Sequence, residues 1–450
     1  MSTGGGVYSK IFRNLLFPVM ELCYGTNTQQ YLSLLCKTQW WSREGLEELQ
    51  NKKLRVLINH AYTNVPYYHK MFKERNIRPE DIKNKDDLEK LPILTKDIIR
   101  KNLPELVARN INKSRIIEFH SSGSTGEPMR YYLDKGAYSS GWAQTYRCWT
   151  WAGYNIGDPY VKISLNSRTA ASKKIQDRLL NTCYVYASGI TENNLGQELS
   201  RIKKCSPKII RGYASYLYTI SKLMENLYIY YTGANIATTG DMLFPHYREA
   251  IERQFNCKIF DGYGGEGTPI SFQCENHNEY HICDEDAVVE FIREGERVAP
   301  DEIGKIVFTN LNNYAMPFIR YDINDLGKSS EELCNCGRGL SLMKSIEGRD
   351  TDIIITPAGG FIVVQFFTVL FKSIEGVDQF QIIQERIDRI IVKIIKNDRF
   401  TADDLHNIKN KIQSKVGGDV EVNIEFVDEI PLSGRSGKRK FIISRVPLRI

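Results

Sequence analysis

Residues 120–128 read HSSGSTGEP, and they stand between two strand-like runs, IIEFH ending at His120 and MRYYL beginning at Met129. Glycines in such a stretch free the backbone to point N–H groups inward, and the Ser and Thr hydroxyls add donors, which together suit a phosphate cradle. A Walker loop requires G-x-x-x-x-G-K-[ST]; no lysine follows Gly126, which excludes a P-loop nucleotidase. By composition alone the same residues also fit a bare hairpin turn.

On the N-terminal side of this loop, from Gln29 to about Asn102, apolar residues recur at helical spacing, with Pro66 and Pro92 as punctuation. On its C-terminal side the texture changes to short β-branched and aromatic runs (YVKISL, PKIIRGY, CKIFDGY, AVVEFI, GKIVFTN) separated by helical stretches such as LYTISKLMENL and HYREAIERQF. This alternation predicts an α/β fold. A second shift falls near Gly348, after which about a hundred residues of mixed helix and strand have the length to close a core of their own. The division expected is 1–347, with 1–110 mostly helical, then a short junction at 348–352 and a small α+β unit at 353–450.

The chain has 450 residues, of which 42% are hydrophobic and 25% charged, a balance that excludes disordered, collagenous and membrane-spanning classes. Its net charge of +6 is spread along the chain, so nothing asks for a nucleic-acid partner. Ten cysteines scattered with no secretory leader ahead of them fit a reducing compartment, the cytoplasm. The apolar stretch from Ile11 to Gly25 carries Arg13, Asn14 and Glu21 and is too short to span a bilayer. It fits either a helix packed on the domain or one making peripheral contact with a membrane surface.

FDGYGGEGTPISF, from Phe260, contains G-x-G-x-x-G at Gly262, Gly264 and Gly267. In a dinucleotide site those glycines open a helix; here Pro269 and an alternating run follow, which argues against an NAD site. Glu266 can hold a magnesium ion through a carboxylate oxygen, and Tyr263 can stack on a base. Asp325 in FIRYDINDLG is placed to accept hydrogen bonds from ribose hydroxyls. Lys438, in PLSGRSGKRK, can supply a point charge to a distant site. Cys274, His277, His281 and Cys283, followed by Cys334 and Cys336, suit a tetrahedral zinc site; Cys274, His281, Cys334 and Cys336 are the expected quartet, in a structural role, with Cys283 or His277 as substitutes. Buried reduced cysteines are the competing reading. Trp142, Trp149 and Trp151 recur at helical spacing and read as core.

In this order the motifs resemble the adenylate-forming enzyme superfamily, and most of all its phenylacetate-CoA ligase branch with the capsule-polysaccharide subgroup. NVPYYHKMF at 65–73, LPILTK at 91–96 and WAGYNIGDP at 151–159 extend the likeness over nearly the whole chain. The resemblance implies a large nucleotide-binding domain and a small mobile lid turning about a hinge at 348–352. It implies an AMP-forming ligase that uses MgATP to convert a carboxylic acid into an acyl-adenylate, then passes the acyl group to coenzyme A or an amine. Ser121, Ser122, Gly123, Ser124, Thr125 and Gly126 would contact the phosphates; Glu266 would bind magnesium; Asp325 and Arg349 would contact ribose or phosphate; Lys438 would stabilise the transferring group. Gly240, Asp241 and Tyr263 would surround adenine, with Tyr213 and Tyr216 at the acyl pocket. His120 would orient the acid or simply fill space. The Tyr-Gly-Glu turn is one residue shorter than the superfamily's usual one, and Thr351 stands where a hinge acid is expected; these departures favour the alternative of a nucleotide-binding scaffold that has lost turnover.

Overall fold

The computed structural model describes residues 6–121, 129–164, 168, 170–277, 279–349, 353–357, 361–431 and 440–446. Among these, twelve strands form one sheet that changes character halfway across. Its first half is parallel, in the spatial order Thr182–Tyr186, Tyr160–Ser164, Ile209–Gly212, Asn235–Thr239 and Ile259–Gly265. These strands are buried on both faces: Val161, Ile210, Ile236 and Ile259 point to one core, while Ile209, Ala237 and Phe260 point to another. Burial on both sides is why their sequences read as unbroken apolar runs.

From Ile259–Gly265 onward the pairing is antiparallel, through Thr268–Gln273, Tyr280–Ile282, Leu342–Arg349, Tyr321–Ser330, Ile303–Asn310, Ala287–Arg293 and Glu296–Arg297. The helical N-terminal part packs on this half. The Arg43–Asn64 helix begins at Ser42, whose hydroxyl accepts from the Gly45 N–H, a hydrogen bond that fixes its start. Gln50 and Lys53 on that helix reach the backbone and side chains of Asp284–Ala287, and Tyr68 donates to the Pro317 carbonyl at 2.8 Å. Leu54, Leu57 and Phe72 meet Ile306, Phe308 and Phe318 in one buried cluster.

The first residues described are helical from Val7 to Tyr24, with a π-helical segment at Phe12–Leu16. Phe12 and Phe17 pack on Ile156, as expected of a helix docked on the domain, while Val7, Ile11, Leu15, Val19 and Leu22 remain exposed. No helix among the described residues is long and apolar enough to cross a membrane.

Residues beyond 353 build a hairpin, Ile353–Ile355 with Phe361–Val363, and a four-stranded sheet ordered Glu421–Phe426, Arg389–Lys396, Val377–Arg386, Ile442–Ser444, with helices Val364–Lys372 and Ala402–Val416. Sequence suggested a core closed within this segment. Instead its buried residues Ile354, Phe367, Ile382 and Ile412 form one cluster with those of the parallel half, and Phe244 meets Phe441 edge-on at 5.3 Å.

Candidate active site

The change from parallel to antiparallel pairing falls at the glycine-rich turn. Ile259–Gly265 and Thr268–Gln273 form a hairpin whose two connecting residues, Glu266 (φ +47°) and Gly267 (φ +74°), both have left-handed backbone. Such a two-residue turn matches the twist of the flanking strands. This is why the motif is short and why its glycines open no helix. A side chain at Gly264 would meet the Thr268 carbonyl oxygen at 2.4 Å, so the close approach of the strands demands glycine there. The non-glycine Glu266 is held in its unusual conformation by Tyr321, whose hydroxyl donates to Oε1 at 2.6 Å.

Beneath the hairpin opens a cavity of about 430 Å³. Its floor comes from the parallel strands, through Arg211, Ala237 and Thr238, and its walls are aromatic, among them Phe119, Trp142, Trp149 and Phe272. Trp142 thus faces open space where core was expected, Trp149 is buried in a core cluster as expected with its ring also edging the cavity, and Trp151 lies against Arg338 and His281. Just below the hairpin, Asp261 accepts hydrogen bonds from Thr238 Oγ1 at 2.5 Å and Tyr280 Oη at 2.6 Å. Burial raises its carboxyl pKa, and these two donors oppose the rise.

Beside the cavity, Tyr263 donates to Asp325 Oδ2 at 2.9 Å, and Arg349 Nε lies 3.7 Å from Oδ1. Asp325 and Arg349 are direct cross-strand partners, so sheet register aligns them. Burial lifts the Asp325 pKa, with Arg349, Tyr263 and Lys96 pulling the other way. Yet 18% of the Asp325 side chain and 34% of that of Arg349 remain open, enough for a hydroxyl-bearing ligand to reach both. Lys96, whose sequence setting marks no site, packs beside the Tyr321–Ser330 strand, where Nζ donates to the Ile323 carbonyl at 3.3 Å and lies near Asp325.

Gly240 (φ +84°) packs so that a Cβ would lie 2.5 Å from the Tyr213 ring. Asp241 caps the Ala214–Asn226 helix, accepting from the N–H groups of Ala214 at 2.7 Å and Ser215 at 3.2 Å and from the Ser215 hydroxyl. Neither Tyr213 nor Tyr216 lines the cavity; both sit at the entry of that helix, with ring centroids 6.4 Å apart. His120 also misses it. On the Ile116–His120 strand successive side chains alternate, so Phe119 turns into the cavity wall while His120 turns outward beside Glu118 at 3.3 Å. Ser121 closes the neck of its loop, its Oγ accepting from the Met129 N–H at 2.8 Å. Ser122, Gly123, Ser124, Thr125, Gly126, Thr351 and Lys438 lie outside the described residues. Gly348 (φ +106°) would bring a Cβ within 3.8 Å of Met242, so the proposed hinge and the Gly240–Asp241 turn are neighbours.

A second constellation lies past the far end of the Thr268–Gln273 strand. The ligand atoms of Cys274, His281, Cys334 and Cys336 all fall within 4.8 Å of one another. Cys274 Sγ is 3.6 Å from Cys334 Sγ, and His281 Nε2 is 3.3 Å from Cys336 Sγ. Asn276 donates to both Cys274 and Cys334. Burial, then Arg338, pushes the His281 pKa down to about 4, leaving the neutral imidazole a metal requires. The two substitutes considered from sequence are placed elsewhere. His277 Nδ1 donates to the Ile259 carbonyl at 2.8 Å, and Cys283 is buried beside Arg147. Arg338 lies over Trp40 and Trp151 and donates to Gln39, fastening the Cys334–Cys336 loop to the N-terminal helices.

Comparison with known proteins agrees with this layout. A family model for the CapK C-terminal domain matches residues 354–445. Protein CapK of Staphylococcus aureus is 26% identical, over 89% of this chain and 90% of its own. Phenylacetate-coenzyme A ligase of Aromatoleum evansii is 27% identical, over 78% of this chain and 82% of its own. A crystal structure of 2-hydroxyisobutyryl-CoA ligase in the postadenylation state, in complex with 2-HIB-AMP, overlays with a TM-score of 0.71 at 18% identity, covering 88% of this chain and 89% of that one. The fold is that of the adenylate-forming enzymes, and the chain resembles them over most of its length. Among them the likeness is to the branch that holds CapK and the phenylacetate-CoA ligases.

Proposed function

We propose that this protein is an AMP-forming ligase that activates a carboxylic acid with MgATP and transfers the acyl group to the thiol of coenzyme A, or to an amine. The observation that carries this is that Glu266 and Tyr263 line one aromatic cavity where the pairing turns antiparallel, with Asp325 and Arg349 joined to Tyr263 beside it.

In this reading the acid lies in the cavity with its carboxylate towards Glu266. A carboxylate oxygen attacks the α-phosphorus of ATP, the bond to the pyrophosphate oxygen breaks, and an acyl-adenylate and pyrophosphate form. Displacements of this kind depend on positioning and fixed cations more than on covalent help from the protein. Glu266, oriented by Tyr321, would hold the magnesium ion; the ion screens charge on the phosphates. Asp325 and Arg349 would take the ribose, Ser122 to Gly126 the β- and γ-phosphates, and Lys438 the charge on the transferring group. The Gly240–Asp241 turn would border adenine through its backbone, since the Asp241 carboxylate is engaged as a helix cap.

We place the lid at 353–450, turning about 348–352; the left-handed backbone of Gly348 beside Arg349 supports a pivot there. Zinc in the Cys274, His281, Cys334 and Cys336 tetrad is assigned a structural role, because four protein ligands complete a tetrahedron and leave no position for water. The CapK likeness supports a role in capsule or surface-polysaccharide biosynthesis, in the cytoplasm. The short turn that had favoured a turnover-deficient scaffold instead delivers Glu266 to the cavity, which favours catalysis.

The test is ATP-dependent pyrophosphate release over a panel of aryl, fatty, hydroxy, uronic and amino acids, with hydroxylamine to trap acyl-adenylate. Release with one class of acid, lost in Lys438→Ala, is the expected result. Folded protein that neither releases pyrophosphate with any acid nor binds ATP overturns the reading.

A further inference from the structure

The cavity holds one cation that the reaction above does not use. Arg211 lines its floor, with the guanidinium carbon 5.7 Å from the centre of the Trp149 ring. Among the described residues it makes no hydrogen bond or ion pair, and its nitrogens are not sealed from solvent. The half-buried guanidinium has the Trp149 ring as its neighbour and its nitrogens open to an acceptor that enters the cavity. Its surroundings make this sharper. Lys162 is its direct neighbour across the Tyr160–Ser164 and Ile209–Gly212 strands, and burial, then repulsion from Arg211 and Arg168, pulls the Lys162 pKa down to about 8. The nearby acid, Asp177, is taken by Arg168. Among the described residues, positive charge therefore gathers at this end of the cavity with no acid paired to Arg211.

Register fixes where that charge lies relative to the reacting end. Arg211 pairs with Ala237, and Ala237 with Phe260, which is three residues before Tyr263 along its strand. At strand spacing this puts Arg211 about 10 Å deeper than Tyr263 along the sheet. Arg211, Ala237, Gly262 and Tyr263 nevertheless line one cavity, so the cation and the reacting end open on the same space.

We infer that Arg211 selects acids carrying a second anionic group at the end remote from the reacting carboxylate, on a flat ring that fits between the aromatic walls: ring-bearing dicarboxylic acids. The inference rests on the ligase reading for its reacting end and on Arg211 for its distal end. A charged group answered by a planar fork of donors discriminates against analogues that lack it, since those analogues offer the guanidinium no acceptor.

The experiment compares 4-carboxyphenylacetate and terephthalate with phenylacetate, 4-methylphenylacetate and benzoate. Pyrophosphate release gives kcat/KM, and quenching of tryptophan fluorescence gives binding of each acid independently of turnover. Wild type should favour the dicarboxylates by about a hundredfold, and Arg211→Met should bring the ratio to within a few-fold of one, with Arg211→Lys between them. Thermal melting checks that both variants fold, and if Arg211→Met does not, Arg211→Lys alone carries the comparison. Equal turnover of neutral and dicarboxylic acids by wild type overturns the inference and leaves the ligase reading standing. Dicarboxylate binding that is lost in the variants, without pyrophosphate release from any acid, overturns the ligase reading and supports the Arg211 subsite. No binding and no turnover of either class overturns both.

Discussion

The two ends of one short strand, Thr268–Gln273, do opposite things. Before its first residue, the hairpin leaves Glu266 at the rim of an open cavity, held by a single hydrogen bond from Tyr321. Just past its last residue, Cys274 joins His281, Cys334 and Cys336 in a tetrad whose ligand atoms all lie within 4.8 Å of one another. The difference teaches what each end offers: a carboxylate with unused acceptor capacity beside a cavity suits a ligand that comes and goes, while four converging thiol and imidazole groups would suit an ion that stays. The strand between them lets the stable end brace the reactive one.

The comparison can be broken first at the reactive end. Lys438→Ala should lower adenylation by about a thousandfold, some 4 kcal/mol of transition-state stabilisation, with the melting temperature unchanged. Retained pyrophosphate release in that variant would remove Lys438 from the chemistry. At the closed end, Cys336→Ser should lose bound zinc, read by elemental analysis, and should lower Tm by about 5 °C. If the variant keeps its stability while activity disappears, the tetrad is not a structural site.

A finer test is Tyr321→Phe, which deletes only the hydroxyl that orients Glu266. The expected cost is about tenfold in kcat, partly recovered at higher magnesium, because a supporting partner of a metal ligand acts through the ligand. An unchanged magnesium dependence would contradict the role given to Glu266. Smallest is Asp241→Ala. Removal of the cap should cost about 1 kcal/mol of stability, measured by urea unfolding, with KM for ATP changed little. A large rise in KM at undiminished stability would return the Asp241 carboxylate to the nucleotide.

Sequence alone made the change of texture along the chain legible. Helical periodicity marked the N-terminal part, apolar runs marked strands buried on both faces, and the glycine and cysteine spacings marked both ends of the Thr268–Gln273 strand. These signals are local: they depend on which conformations a residue permits and on which ligand atoms it carries. The tetrad was legible for the same reason, since only a few residue types offer thiolate or imidazole.

Only the tertiary structure decided which of two neighbours faces the cavity, turning Phe119 inward and His120 outward, because that depends on strand register and not on residue type. It alone drew Asp241 away to cap a helix, placed Tyr213 and Tyr216 behind it, and brought Lys96 near Asp325. It alone exposed Arg211, whose sequence surroundings, PKIIRGY, are those of an ordinary buried strand. The chemistry of each side chain is written along the chain, but whether it meets a partner, a ligand or another cation is fixed by contacts between residues far apart in sequence, which only the folded sheet brings together.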